Sequence, residues 1–409
     1  MKLFVPKERS PETRVAISPD TVKRLTGMGF DVTFEKGAGE LSRITDDALT
    51  AAGAKVATAK GAGAADVVLK VNRPTAAEAK SYKKGALVLA AMDPHGHESE
   101  IKALASAGIS AFAMEFMPRI TRAQSMDILS SQANLAGYQA VIEGAAVFDR
   151  ALPMMMTAAG TVPAARVFVM GAGVAGLQAI ATARRLGAVV TATDVRAAAG
   201  EQVESLGAKF IMTDALKDAS GEGGYARELT ADEQKAQAEL VASHIAKQDI
   251  VITTALIPGR PAPKLVTKAM LASMAPGSVV VDLAVERGGN VEGSKAGQIA
   301  KVGNVSVVGY ENMAGRLAAT ASQLFAKNLV AFLETMVDGE SKKLNVNLED
   351  ELVAATLLTH GGKVVHPLFA KESAAKPAAK SAAKPAAKPA GKAPAKKKPA
   401  TAADKGAKS

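Results

Sequence analysis

Short apolar runs alternate with amphipathic stretches along the first third of the chain. The runs are typical of strands buried on both faces, and they fall at residues 3–6, 31–35, 67–71, 86–91 and 109–113. The stretches between them, such as 19–28 and 98–107, have the composition and spacing of helices. This alternation predicts a parallel sheet with helices on both faces.

A second series of the same kind follows, with apolar runs at residues 166–170, 188–194, 209–212, 250–254, 278–283 and 305–308. Long helical stretches at 126–152 and 314–337 flank this series, and a small β-rich stretch follows them. Because one core rarely grows beyond about 300 residues, a chain of 409 residues favours two domains. We predict an α/β protein with two Rossmann-like, doubly wound domains joined by long helices. The second, residues 129–311, is inserted into the first, residues 1–128 and 312–370.

The net charge of +10 belongs to the last part of the chain, residues 371–409, which holds 11 Lys and two acidic residues. This tail has no Leu, Ile, Val or aromatic residue, and five prolines interrupt it, so we predict that it is disordered. Three roles remain open for it: a solubilising appendage, a tether to an anionic membrane surface, or a non-specific contact with nucleic acid. The rest of the chain is nearly neutral.

Other features of the composition exclude several classes of protein. The chain has no cysteine, so it has no disulfide, no thiol nucleophile and no Cys-ligated metal. No apolar run reaches the roughly 18 residues of a membrane span, and the N-terminus does not resemble a signal peptide. A pair of histidines, His95 and His97, has no evident third ligand nearby, so we expect no metal site.

The strongest local motif follows the strand predicted at 166–170. It is a GxGxxG sequence that opens a helix, and an acidic residue ends the next predicted strand. The glycines permit a tight turn, close approach of a pyrophosphate and close helix packing, while the acid accepts bonds from the adenosine ribose. A plain strand–helix turn with an exposed acid is the alternative. The cofactor-binding residues predicted here are Gly171, Gly173, Val174, Gly176, Asp194, Val195 and Arg196.

The acid at Asp194 favours NAD(H) over NADP(H), because a carboxylate repels a 2′-phosphate; Arg196 beside it leaves some room for the opposite preference. Two further loops follow predicted strand ends, at 253–259 and 282–290. Since ligands bind at the carboxyl ends of such strands, we predict that both loops line the nicotinamide half of the site, with Thr254, Ala255 and Leu256 as contacts. Taken alone, each loop would be interpreted as an ordinary connection.

Together, the motifs resemble one family. They are PKER and ETRVAISP near the N-terminus, MPRITRAQSMDILSSQANLAGY from Met117, MMMTAAGTVPAARV from Met154, GAGVAGLQAIATARRLGAVVTATDVR from Gly171, TTALIPGRPAP from Thr253 and DLAVERGGN from Asp282. Over residues 1–370 the chain resembles the NAD(H)-binding alpha subunit of proton-translocating NAD(P) transhydrogenase.

The resemblance implies hydride transfer from NADH to NADP⁺ bound on a partner beta subunit, coupled to proton translocation through a membrane subunit. It also implies a homodimer, a small membrane alpha subunit as a further partner, and a peripheral position on the cytoplasmic face of the inner membrane. Specific nucleic-acid binding is not expected.

The resemblance also implies roles for a loop before the first long helix. Arg119, Gln124 and Asp127 would orient the nicotinamide, with Ser130 beside them. From spacing alone, Arg119 and Asp127 could instead cap and pair at the start of that helix. A polar, glycine-rich segment at 217–234 resembles a mobile loop that closes over the nucleotide with a tyrosine, here Tyr225.

The competing interpretation is an alanine dehydrogenase-like enzyme, which shares the two-domain plan. That activity would need an Arg, a Lys and a catalytic His. Arg14 and Lys70 lie where the first two are expected, but the position of the His falls near Asp93, with His95 and His97 displaced from it. This departure weighs against amino-acid chemistry.

Overall fold

The fold is that of a computed structural model, and the residues that it describes are 1–214, 227, 229–257 and 259–374. Its strands are β1 (Lys2–Val5), β2 (Asp31–Glu35), β3 (Lys55–Ala57), β4 (Val67–Asn72), β5 (Leu87–Ala91), β6 (Ser110–Ala113), β7 (Met155–Thr157), β8 (Gly160–Val162), β9 (Arg166–Met170), β10 (Val189–Thr193), β11 (Lys209–Phe210), β12 (Ile250–Thr253), β13 (Val279–Asp282), β14 (Gln298–Val302), β15 (Val305–Gly309), β16 (Leu357–His360) and β17 (Lys363–Val364).

The α-helices within the same residues connect these strands. They are α1 (Pro19–Gly27), α2 (Asp46–Ala51), α3 (Ala76–Ser81), α4 (Glu98–Ser106), α5 (Ile128–Val147), α6 (Val174–Arg185), α7 (Ala199–Ser205), α8 (Ala231–Ile245), α9 (Lys268–Ser273), α10 (Ala318–Glu334), α11 (Glu351–Thr356) and α12 (Pro367–Ala374). Among the described residues, none of these helices is both long and apolar enough to cross a membrane.

The first sheet contains six parallel strands in the order β3-β2-β1-β4-β5-β6. Strands β16 and β17 extend it in antiparallel fashion beyond β6. Numbered along the chain, the parallel part has the order 3-2-1-4-5-6 of dinucleotide-binding folds.

The second sheet repeats this order in β11-β10-β9-β12-β13-β15, and β14 adds an antiparallel edge next to β15. Both sheets therefore reverse their winding between the first and the fourth parallel strand, which is where ligands bind in folds of this kind. The predicted fold class, two doubly wound Rossmann-like sheets with long helices, is confirmed.

Each parallel sheet has a hydrophobic core on both faces, because alternate residues of a strand point to opposite sides. In β1, Leu3 and Val5 join one core and Phe4 joins the other. In β9, Val167 and Val169 pack against α5 and α6, whereas Phe168 and Met170 face a core that contains residues of α8 and α9. The apolar runs that predicted the strands are these doubly buried segments.

The two long helices α5 and α10 pack against each other. The Ser131 hydroxyl donates to Asn328 Oδ1 at 2.7 Å, and Gln132 Nε2 donates to the Ala321 carbonyl at 3.2 Å. The first sheet takes its antiparallel strands from the chain after α10. These observations support, as a proposal, a first domain of residues 1–128 and 312–370 and a second of 129–311.

Several elements escaped the sequence prediction. The strands β3 and β14 and the hairpin β7–β8 are short or partly exposed, so they lack the apolar runs by which the other strands were found. The helix α8 begins at Ala231, inside the segment predicted as a loop, because Thr230 and Glu233 form a capping box. The helix α12 continues to Ala374, beyond the predicted start of the tail. The rest of the tail, 375–409, lies outside the described residues.

Candidate functional site

The glycine turn after β9 lies at the point where the second sheet reverses its winding. Gly171 has a φ of +106°, a conformation that L side chains rarely adopt, and its N–H donates to the Thr193 carbonyl of β10 at 2.8 Å. A Cβ atom on Gly176 would lie 1.8 Å from the Gly171 carbonyl oxygen. These two glycines are therefore required for the turn itself and for the packing of α6 against it.

Gly173 differs from the other two glycines because a Cβ there would meet no atom of the described residues within 4 Å. It is the N-cap of α6, where it offers no side-chain acceptor, and the first turn of that helix contains no acidic residue. The N-terminus of α6, where Val174 is exposed, thus faces open space. The helix dipole gives this end of α6 a partial positive charge. This space and this charge fit the pyrophosphate of a dinucleotide.

Asp194 follows β10 directly and is 8% exposed. Its Oδ2 accepts the Ala172 N–H at 2.7 Å, which fixes the carboxylate against the glycine turn. Burial raises the pKa of Asp194, but bonds from Arg196 and Ala172 outweigh burial and lower that pKa below its usual value. The carboxylate is therefore charged at neutral pH, at the position that the ribose hydroxyls would reach; Val195, half-buried, follows it.

The loop after β12 contacts the glycine turn. The Thr254 hydroxyl donates to the Gly171 carbonyl at 3.2 Å, and Ala255 follows it half-buried. Leu256 and Ile257 are 47% and 45% exposed. The structure thus brings the two predicted cofactor segments together and leaves apolar side chains exposed beside them.

Two buried polar residues that the sequence analysis did not single out hold this loop. Asn290 donates from Nδ2 to the Ala255 carbonyl at 2.9 Å and accepts the Ala255 N–H at 3.1 Å. Asp282 in turn accepts the N–H groups of Ala284, Asn290 and Val291. Both lie within the predicted loop 282–290 and are fully buried, so only the tertiary structure reveals that they support the neighbouring loop.

The segment predicted to orient the nicotinamide lies at the start of α5. Asp127 is the N-cap: its carboxylate accepts the Ser130 N–H at 2.9 Å and the Ser130 hydroxyl at 2.5 Å. The capping interpretation is therefore present in the structure for Asp127. Arg119 and Gln124 are exposed on the preceding turn. Tyr225 lies outside the described residues.

The helix α5 connects this segment to the glycine turn. A Cβ on Gly137 would lie 2.0 Å from the Ala175 carbonyl oxygen, so α5 and the first turn of α6 are in direct contact. Gly137 lies seven positions after Ser130, which corresponds to about 10 Å along the helix. The orienting segment and the phosphate turn are thus carried by two helices that touch.

The first domain carries a different cluster at its own reversal point. Arg14 donates from Nε and Nη2 to the two carboxylate oxygens of Glu12, both at 2.8 Å, and Glu12 also accepts from Asn72 and Asn312. Burial raises the pKa of Glu12, but the bonds from Arg14 outweigh burial and lower the pKa to about 2. Both charges of this buried pair are therefore compensated within the protein.

Lys70 is likewise a buried charge that is compensated within the protein. Its side chain is 0% exposed, and its Nζ lies 3.3 Å from Glu8 and 3.1 Å from Glu78. Burial raises the pKa of Glu8 despite the neighbouring lysine. The two cations that the alanine dehydrogenase interpretation requires, Lys70 and Arg14, are both bound to acidic side chains.

The two domains meet near the predicted nicotinamide half. Asp93 pairs with Arg287 of the loop after β13, and a Cβ on Gly259 would lie about 3.0 Å from the His95 ring. His97 Nδ1 lies 2.9 Å from the Asp93 carbonyl oxygen. His95 thus packs at the junction between the domains, whereas His97 contacts Asp93 of its own domain.

A cavity of about 750 Å³ also lies at the junction of the first domain with α5 and the start of α10. Its lining includes Thr13, Glu143, Asn312 and Arg316, and no residue of the glycine turn. Because it contains none of the predicted cofactor-binding residues, we do not assign the cofactor to it.

The strand order and the glycine turn define the class of Rossmann-type dinucleotide-binding folds. Two family models match the chain: "Alanine dehydrogenase/PNT, N-terminal domain" over residues 4–136 and "Alanine dehydrogenase/PNT, C-terminal domain" over residues 140–367. The chain therefore belongs to the alanine dehydrogenase/PNT family.

Individual relatives lie in both branches of this family. An NAD(P) transhydrogenase alpha-subunit chain of Rhodospirillum rubrum is 56% identical over 384 residues, which is 91% of this chain and 100% of the relative. The crystal structure of transhydrogenase from Sinorhizobium meliloti is 63% identical, with a TM-score of 0.80 over 90% of this chain and 100% of that one. The alanine dehydrogenase of Halomonas elongata is 32% identical over 91% of this chain and 96% of its own length.

The higher identities lie on the transhydrogenase side. The resemblance to transhydrogenase alpha subunits is thus confirmed, and it supports an NAD(P) transhydrogenase role for the chain.

Proposed function

We propose that this chain is the NAD(H)-binding subunit of a proton-translocating NAD(P) transhydrogenase. The chain would present a reduced nicotinamide to NADP⁺ held on a separate beta subunit. A small membrane alpha subunit would complete the assembly, and proton movement would reach this chain through conformational coupling.

One observation carries the proposal: the open space at Gly173, with the N-terminus of α6 and the charged Asp194 around it. Gly173 and the first turn of α6 would hold the pyrophosphate, and Asp194 would hold the adenosine ribose. Bound there, NADH supplies a hydride from C4 of its dihydronicotinamide ring.

The protein side of this chemistry is positioning. Transfer between two nicotinamides needs no proton at the reacting carbons, so it depends on alignment and on exclusion of water. Arg119, Gln124 and Asp127 would orient the carboxamide and ribose, with Ser130 held by Asp127 and Tyr225 closing from its loop. The capping bonds of Asp127 fix its carboxylate on a rigid helix, which suits this role.

The assembly also sets the proposed location and partners. We propose a homodimer that is peripheral on the cytoplasmic face of the inner membrane. Leu256 and Ile257 lie exposed beside the cofactor segments, which is where the NADP-binding partner would have to approach. The Lys-rich tail would touch the anionic membrane surface, where each Lys contributes about 1 kcal/mol at low salt. Specific binding of nucleic acid has no support.

The first test measures coenzyme binding by calorimetry. NADH should bind the full chain far more tightly than NADPH. The absence of NADH binding would end the proposal.

The second test reconstitutes the chain with an NADP-binding partner and follows hydride transfer. Arg119→Ala and Gln124→Ala should slow transfer while NADH still binds. Arg122→Ala is the matched control, because Arg122 lies in the same segment but pairs with Asp350. Equal slowing by all three variants would contradict the assigned roles.

The competing function, oxidation of alanine, is tested on the same preparation. We expect no pyruvate production from alanine and NAD⁺, because Glu12 and Glu8 already neutralise Arg14 and Lys70. Turnover at ordinary dehydrogenase rates would favour the alanine dehydrogenase interpretation.

A further inference from the structure

The carboxylate of Asp194 accepts four hydrogen bonds from residues that the structure describes. Its Oδ1 accepts the Arg196 N–H at 2.9 Å and the Arg196 Nε–H at 2.9 Å. Its Oδ2 accepts the Ala172 N–H at 2.7 Å and the Arg196 Nη2–H at 2.8 Å. A carboxylate offers about four acceptor positions, so all of them are in use.

Two of the four donors are held in place by the backbone. The Ala172 N–H belongs to the glycine turn, which Gly171 ties to β10 through its bond to Thr193. The Arg196 N–H belongs to the turn before α7, where the Arg196 carbonyl accepts from Ala199 at 3.1 Å. These two donors cannot leave without moving the chain.

The other two donors belong to the Arg196 side chain, which is 23% exposed and so has solvent on one side. Both hydroxyls of an adenosine ribose must donate to Asp194 if this site binds NAD(H) in the proposed way. They can do so only if they replace the Arg196 Nε–H and Nη2–H. The two ribose hydroxyls would then take the place of the two side-chain donors.

We propose that Arg196 is a specificity-determining residue of the coenzyme site together with Asp194: its guanidinium occupies the ribose positions on Asp194 and moves aside when NAD(H) enters. This inference rests on the proposed NAD(H) site and assigns a role within it. The displaced guanidinium lies next to the ribose 2′ position, where the charge of Asp194 rejects a phosphate. Neutralising that carboxylate turns Arg196 into a receptor for the 2′-phosphate.

The experiment compares three full-length proteins, the wild type, Asp194→Asn and Asp194→Asn/Arg196→Met, in calorimetric titrations with NADH and with NADPH. The single variant should bind NADPH about 10- to 100-fold more tightly than the wild type, because a charge-assisted bidentate contact replaces a repulsion. The double variant should lose this gain. Asp194→Asn/Arg196→Lys should keep only part of it, and the gain should shrink as salt is raised.

Several results would overturn the inference. One is a folded Asp194→Asn protein that binds NADPH no better than the wild type. Another is a double variant that keeps the full gain. A third is a structure of the NADH complex in which the Arg196 guanidinium still donates both of its hydrogen bonds to Asp194. Thermal unfolding checks the fold of each variant, and Asp194→Ser provides the same comparison if the Asn variant does not fold.

The wild-type titration separates this inference from the proposed function. If the wild type does not bind NADH, the coenzyme site itself is wrong. If the wild type binds NADH but Asp194→Asn gains no affinity for NADPH, or the double variant keeps the full gain, only the role of Arg196 is wrong.

Discussion

The two domains share one strand order but differ in the turn that follows the first strand of each sheet. After β9, three glycines open the turn, and the backbone of α6 faces free space at Gly173. After β1, the chain continues with Pro6, Lys7 and Glu8 instead, and charged side chains fill the reversal point. The comparison shows that strand order creates a place for a ligand, whereas the residues of the turn decide whether that place stays open.

The charges that fill the reversal point of the first domain are buried and paired. Lys70 is fully buried, and the Glu12–Arg14 pair is nearly so, but each charge has a partner and hydrogen bonds at short distance. Such a network contributes little to stability in total, but it is costly to break. We therefore expect the first domain to respond to loss of a single charge, and the second to respond to added volume at its glycines.

The largest expected effect is that of Lys70→Met. It leaves Glu8 and Glu78 without their buried cation, so the free energy of unfolding should fall by about 3–5 kcal/mol in urea titrations. Lys83→Met is the matched control: that lysine is half-exposed and pairs with Asp66, so its loss should cost less than about 1 kcal/mol. Equal losses in the two variants would show that the network in the first domain is not a structural unit.

The second effect concerns pH. The folded pKa of Glu12 is about 2, below its ordinary value of 4.5, so its stabilisation is complete above pH 4.5 and is lost as the pH falls towards 2. This shift corresponds to about 3 kcal/mol. The difference in unfolding free energy between the wild type and Glu12→Gln should shrink by that amount from pH 5 to pH 2. A constant difference would contradict the assigned ion pair.

The third effect separates two glycines of one turn. Gly176→Ala places a methyl group against the Gly171 carbonyl, so it should lower the free energy of unfolding by about 1–3 kcal/mol. It should also weaken the binding of NADH. Gly173→Ala meets open space, so its stability should change by less than about 0.5 kcal/mol. Its NADH affinity should nevertheless fall by about tenfold or more, because the methyl group blocks the approach of the pyrophosphate. Unchanged affinity in Gly173→Ala would place the phosphate elsewhere.

The smallest effect concerns one of the ion pairs between the domains, Asp93 with Arg287. Asp93 and Arg287 are each about 40% exposed or more, so Arg287→Ala should cost less than about 1 kcal/mol, and less still at high salt. A double-mutant cycle with Asp93→Asn measures the coupling. A coupling that is large and independent of salt would mean that this pair, rather than α5 and α10, sets the relation of the two domains.

Much of the fold could be predicted from the chain because the parallel strands are buried on both faces. Four successive residues of β9, 167–170, and three of β12, 250–252, are apolar, and that pattern is visible without any partner. The sequence does not reveal the edge strands β3 and β14, because an exposed strand carries polar residues that resemble a loop. The capping box at Thr230 was a local signal, but the surrounding polar composition outweighed it.

The sequence by itself determined the glycine turn, its helix and the acid at Asp194, because the tight turn and the left-handed backbone at Gly171 are local requirements that glycine meets wherever the chain folds. Only the tertiary structure decided what surrounds them. It placed Asn290 beneath the loop of Ala255, Ala172 of the glycine turn on Asp194, and Asn312 on Glu12. Contacts between residues tens or hundreds of positions apart have no local pattern, since they depend on which strand ends the winding of each sheet brings together.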